Sequence, residues 1–252
     1  MNDLDEVRGD ESVTDEAGAT PRASLVIARA TLPALLFIAV MYAVGLIGAR
    51  LGSSPTVGKA VVRTVVIGIV IVMQKRGSLP DLPLRFDASD LVRAFALGAL
   101  MQVAFAFIAS LIMPDASSGA ASFDADTVVS FVVSVVLTPI CEELIFRGIA
   151  FRELRRCAPF PVAAAISSMM FALVHPSVIS ASAAFIAGIV LSYMYEKSAS
   201  FAVTVTVHAS FNAVSYFLVC VPDLPFPVRL AVGIAASAAS VGIMLIPHKN
   251  VK

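Results

Sequence analysis

Long apolar stretches, almost free of charge, recur along the chain, and they decide its solvent before any other feature is weighed. A helix needs roughly 20 apolar residues to cross about 30 Å of hydrocarbon. Eight segments read as crossings: Ala30–Ala49, Pro55–Met73, Leu91–Met113, Thr127–Phe151, Pro161–Val174, Val178–Tyr195, Ser200–Val221 and Pro227–Ile246. Composition agrees. Apolar residues make up 58% of the chain and charged residues 14%, against roughly 45–50% and about 25% in soluble domains. With a mean hydropathy of +0.90, there is too little polar surface to form a water-facing shell. The expected fold is all-α, a polytopic membrane helical bundle of about eight transmembrane helices in a lipid bilayer.

Residues 1–23 differ in kind. Asp3, Asp5, Glu6, Asp10, Glu11, Asp15 and Glu16 outnumber Arg8 and Arg22, where a secretory signal would begin basic and then turn apolar. This stretch is expected to be a disordered acidic tail, with 24–252 forming a single membrane domain. The net charge is zero, and no basic run is interleaved with aromatics, so nucleic acid has no footprint here. The three cysteines, Cys141, Cys157 and Cys220, have neither CxxC spacing nor a disulfide framework.

Orientation follows from the basic residues. With the N-terminus inside, inner segments hold fourteen of the eighteen Lys and Arg, while the outer ones hold only Arg50, Lys59, Arg63 and Arg229. Both termini are therefore expected in the cytoplasm of a multi-pass protein of the cell membrane. The uncharged-to-acidic loop Pro114–Asp126 is expected to face outward. Lys59 and Arg63, in the first half of the second segment, are expected to snorkel to the interface.

Ionisable groups inside hydrocarbon are costly, so each one that remains asks for a reason. Glu142, Glu143 and Arg147 lie in the fourth segment, His175 ends the fifth, and His208 lies in the seventh with Asn212 one turn away. Glu143 and Arg147 are four apart on one helix face and can pair. Glu142 is turned about 100° from Glu143, free for chemistry or for a partner on another helix. His248 sits beside Lys249 in the C-terminal tail and is expected to be inert. A depth argument joins Glu142 to His175. Pro159 and Pro161 place a turn near Ala158. Counted as α-helix at 1.5 Å per residue, both side chains fall about 24–25 Å from that turn in an antiparallel hairpin.

Glu142-Glu143-x-x-x-Arg147, Phe171-x-x-x-His175 and His208-x-x-x-Asn212, in that order on three predicted helices, resemble the motif set of the type II CAAX prenyl endopeptidase family. That family is also known as the CAAX protease and bacteriocin-processing, or Abi, family. The resemblance spans roughly 128–220 and includes the connecting stretch from Phe185 to Tyr195. It implies an intramembrane endopeptidase acting on a membrane-associated protein or peptide. By position, Glu142 and His175 would activate the attacking water and His208 and Asn212 would stabilise the oxyanion. Glu143 and Arg147 would support the site. The sequence departs from the family pattern at Ser198-Ala199-Ser200, where a Thr-Gly-Ser-like turn is usual, and at Ser192, where a second Gly is common. A CAAX-type site would receive cytoplasmic substrates, whereas the charge count puts His175 near the outer end of its helix.

If zinc were bound, Glu142, His175 and His208 would be its ligands, with water as the fourth. No His-Glu-x-x-His pair is present, and nothing in the local sequence visibly orients either imidazole. The expectation is a glutamate-activated water with no obligatory metal. Two other readings of the same residues stand beside the enzyme: a non-cleaving immunity or scaffold relative, and a proton-coupled transporter. The transporter would call for inverted repeats and broken helices, neither of which the sequence displays.

Overall fold

The structure is a computed structural model describing residues 23–50, 54–77, 79, 81–84, 86–112, 125–218, 221 and 224–246. The acidic tail, Cys220, His248 and nearly all of the loop Pro114–Asp126 lie outside the described residues. Eight helical rods are described: α1 (Ala23–Arg50), α2 (Pro55–Lys75), α3 (Ala88–Ile112), α4 (125–155), α5 (Phe160–Ala172), α6 (Val178–Ser198), α7 (Phe201–Leu218) and α8 (Phe226–Leu245). Seven are long and apolar enough to cross a membrane. The exception is α5, whose thirteen residues rise only about 20 Å.

Proline and capping set many of the helix ends. Pro55 begins α2, and Pro161 and Pro227 stand in the opening turns of α5 and α8, where a missing N–H costs nothing. At the start of α6, Ser177 and Ser180 bond to each other's backbone N–H in a reciprocal cap. That helix ends at Ala199, which takes φ +46°, a left-handed conformation. Alanine stands here where the family pattern would place glycine, and it carries the steric penalty that glycine avoids.

Packing follows the small residues, as it must where lipid supplies no hydrophobic drive between helices. α3 lies against α7 and α8, α5 against α6, and α1 against α2 and the C-terminal half of α4. A Cβ added at Gly98 of α3 would run into the Val207 carbonyl of α7, and one at Gly188 of α6 would stand 2.8 Å from Ser168 Cβ of α5. The outer surface is apolar: Leu32, Leu46, Val92 and Leu245 are all at least 66% exposed. Such a surface belongs in lipid.

α4 is not a uniform helix. Two π-helical stretches, Val133–Leu137 and Leu144–Phe151, bracket the short α-helical segment Thr138–Glu143 that carries both glutamates. An uninterrupted α-helix down α4 and a fifth helix ending at His175, as expected from sequence, are not what forms. Instead the π stretch changes the rise, α5 stops at Ala172, and His175 sits in the turn beyond it. The two side chains still meet in one cavity.

Candidate active site

Glu143 and Arg147 form the expected ion pair, Oε1 to Nη1 at 3.0 Å, with both side chains fully enclosed. The pair belongs to a larger knot. Arg147 Nη2 donates to the Gly188 carbonyl at 3.0 Å, and its guanidinium lies 4.7 Å from the centroid of the Phe171 ring. His208 Nδ1 lies 3.0 Å from Glu143 Oε1. A carboxylate only accepts, so Nδ1 carries the proton, which turns Nε2 outward.

Glu142 faces the other way and has a partner that the sequence reading placed elsewhere. Arg63 does not snorkel to the interface. It is 6% exposed, and its Nη2 donates to Glu142 Oε1 at 3.1 Å. The guanidinium is paired with a carboxylate on α4 instead of reaching towards the headgroups. Lys59, one turn nearer the helix start, is exposed. The other glutamate oxygen, Oε2, lies 3.9 Å from His208 Nε2.

His175 is oriented too. Its Nδ1 is 3.1 Å from the Phe171 carbonyl, so that nitrogen donates and Nε2 is directed elsewhere. Phe171 stacks edge-on against both imidazoles, with centroids 5.1 and 5.5 Å away. Asn212 Nδ2 donates to the Ser134 carbonyl at 2.8 Å, and Tyr216 bonds the Ser134 hydroxyl. Ser134 lies in the first π-helical stretch, where the widened turn frees a carbonyl for an outside donor.

Glu142, His175, His208 and Asn212 all line one cavity of about 770 Å³, together with Arg63, Lys59, Thr138 and Tyr216. The structure therefore brings the four residues expected in chemistry to one space, and keeps Glu143 and Arg147 behind it. A smaller cavity of about 240 Å³ adjoins, sharing His175, His208 and Asn212 and otherwise walled largely by apolar groups such as Phe105, Phe171 and Leu191.

Residues 124–214 match the family model described as type II CAAX prenyl endopeptidase, Rce1-like. The chain carries an Rce1-like segment. It covers 91 of 252 residues and contains all seven motif side chains, bearing out the resemblance read from Glu142 to Asn212. Arg63 lies outside it, on α2. No curated protein and no solved structure matches the chain.

Glu142, His175 and His208 are the side chains that would hold a metal, and they line one cavity. Both imidazoles are oriented, contrary to the expectation from sequence: the Phe171 carbonyl fixes His175 and the Glu143 carboxylate fixes His208, as metal-binding imidazoles require. Glu142 is the obstacle. One of its oxygens is paired with a guanidinium whose charge would repel a divalent cation. Among the described residues, no three His, Cys, Asp or Glu side chains are grouped to hold one.

Proposed function

We propose that the protein is an intramembrane endopeptidase that hydrolyses a peptide bond of a membrane-associated protein or peptide, using a water activated by Glu142 and His175. The convergence of Glu142, His175, His208 and Asn212 on one cavity, from α4, the α5–α6 turn and α7, carries this reading.

Each group has a task its geometry suits. Arg63 holds Glu142 Oε1, leaving Oε2 to take a proton from water. His175 Nε2, its partner nitrogen satisfied by Phe171, accepts the water's second hydrogen and aims its oxygen at the scissile carbonyl carbon. As the C–O bond forms, negative charge gathers on the carbonyl oxygen. A protonated His208, balanced by Glu143, donates to that oxygen from Nε2, and Asn212 offers the amide hydrogen not given to Ser134. Collapse of the tetrahedral species breaks the C–N bond, and Glu142 returns its proton to the leaving amine. The adjoining apolar cavity suits an apolar side chain beside the scissile bond.

No obligatory metal enters this scheme. Purified active protein is expected to hold far less than one equivalent of zinc and to keep its activity through chelation. Stoichiometric zinc, whose loss abolishes cleavage and whose return restores it, would overturn that part of the proposal.

A non-cleaving relative is the second reading, and the Arg63–Glu142 pair favours it, since a base held by a cation is also a base restrained. Comparative proteomics of membrane peptides from cells carrying wild-type or Glu142→Ala protein separates the two. Peptides that accumulate uncut only in the variant support the endopeptidase; identical peptide inventories support the binder.

A further inference from the structure

The 770 Å³ cavity is asymmetric along the bundle. Its floor is buried Glu142, Arg63 and His208, while Gly45, Lys59 and Pro176 at its rim are exposed. Gly45 is near the end of α1, Lys59 near the start of α2, and Pro176 in the α5–α6 turn, so the rim belongs to a single end of the bundle. From rim to floor along α2 is one helical turn, Lys59 to Arg63, or about 6 Å. The opposite route is closed. Phe146, Phe151 and Leu154, at 0%, 1% and 2% exposure, fill the length of α4 between Glu142 and its far end.

That far end is where the basic residues gather. Lys75 and Arg76 end α2, Arg152, Arg155 and Arg156 end α4, and Lys197 ends α6. They form one layer: Arg155 pairs with Glu196 at 2.7 Å, Arg152 donates to the Asp81 carbonyl, and the Phe201 N–H donates to Pro83. The rim end carries Arg50, Lys59 and Arg229, and Arg63 below them is committed to Glu142. Short loops rich in Lys and Arg stay in the cytoplasm.

We infer that the cavity opens on the face of the membrane opposite the cytoplasm, and that its substrate is a membrane-anchored polypeptide whose scissile bond is presented from that side. The substrate and its scissile bond rest on the endopeptidase reading. The direction of opening stands on the burial gradient and the charge layer alone. It departs from the cytoplasmic access that the family resemblance implies.

Thiol labelling in sealed vesicles of known orientation tests this without any cleavage step. Native Cys157 is exposed in the basic layer and serves as the internal reference, in full-length Cys141→Ala, Cys220→Ser protein. Lys59→Cys and Pro176→Cys are each placed in a background that also carries Cys157→Ser. A membrane-impermeant maleimide is expected to label both rim positions only in right-side-out vesicles, and Cys157 only in inside-out ones. Rim labelling confined to inside-out vesicles would overturn the inference, as would labelling of the rim and Cys157 from the same face. Rim thiols that react after solubilisation in denaturant but from neither face of intact vesicles would overturn it as well, since the cavity would then be closed. The same pattern is expected in a Glu142→Gln background, so an inactive protein would not alter the result.

Discussion

Glu142 and Glu143 are neighbours in sequence and opposites in environment. Glu143 is wholly enclosed and answers two donors, Arg147 and His208, at 3.0 Å each. Arg147 in turn is held by the Gly188 carbonyl and the Phe171 ring. Glu142 is paired through one oxygen with Arg63, 79 residues away in the chain, has His208 Nε2 at 3.9 Å from the other, and borders a cavity. A carboxylate locked into a closed knot holds shape and orients an imidazole. A carboxylate held by one oxygen beside open space can exchange a proton.

The largest expected difference follows from removing each charge. Glu143→Gln leaves the fully buried Arg147 without its carboxylate, and breaking a buried pair costs about 3–5 kcal/mol. Glu142→Gln also leaves a cation unpaired, but Arg63 borders the cavity, so the loss should stay near that of one charged hydrogen bond, about 1.5–3 kcal/mol at most. Thermal or denaturant melting of both variants in detergent reads the difference. Equal losses would erase the distinction between knot and cavity.

Gly98→Ala comes next. Its methyl group would overlap the Val207 carbonyl and the Ser210 hydroxyl, and backbone cannot step aside as a side chain can. α3 and α7 must part, at a cost of about 1–3 kcal/mol or more, and His208 and Asn212 move with α7. Stability and cleavage should fall together. Gly188→Ala presses on Ser168 Cβ and Cα at 2.8 and 3.0 Å, for a similar or smaller cost of about 1–3 kcal/mol. It shifts the carbonyl that holds Arg147, so it should weaken the knot while leaving the Arg63–Glu142 pair in place. Lys or Arg accessibility to amine- and guanidine-directed reagents would distinguish these cases.

The smallest effect should be a gain. Ala199→Gly relieves a left-handed φ of +46° and should add up to about 1 kcal/mol. Because Ala199 touches neither glutamate's surroundings, cleavage by this variant should match wild type. A change in rate would show that the α6–α7 turn reaches the site.

What the sequence disclosed and what it withheld divide along the same line as the two glutamates. Long apolar runs marked all eight helices, though α5 is too short for the crossing expected of it, and i,i+4 spacing gave the Glu143–Arg147 pair, because both are local. Arg63 was hidden because nothing at short range ties residue 63 to residue 142, and a cation near a helix end ordinarily reaches for the interface. The orienting partners of the histidines were hidden for related reasons: one is a backbone carbonyl, which every residue possesses, and the other comes from a different helix. The π-helical turns that free the Ser134 carbonyl for Asn212 leave no mark on apolar periodicity either. Ala199 was half legible, since alanine in place of an expected glycine marked the turn without revealing that the left-handed geometry is kept.

The most direct test of the account is cleavage by purified protein in liposomes, offered a degenerate library of membrane-anchored peptides, with new termini identified by mass spectrometry. Wild type, Glu142→Gln and Arg63→Gln are compared, each checked for folding by its melting curve. The account predicts defined cleavage by wild type, none by folded Glu142→Gln, and impaired cleavage by Arg63→Gln with partial recovery in Arg63→Lys. Cleavage by Glu142→Gln at the wild-type rate, or a folded wild-type protein that cuts nothing in the library, would contradict it.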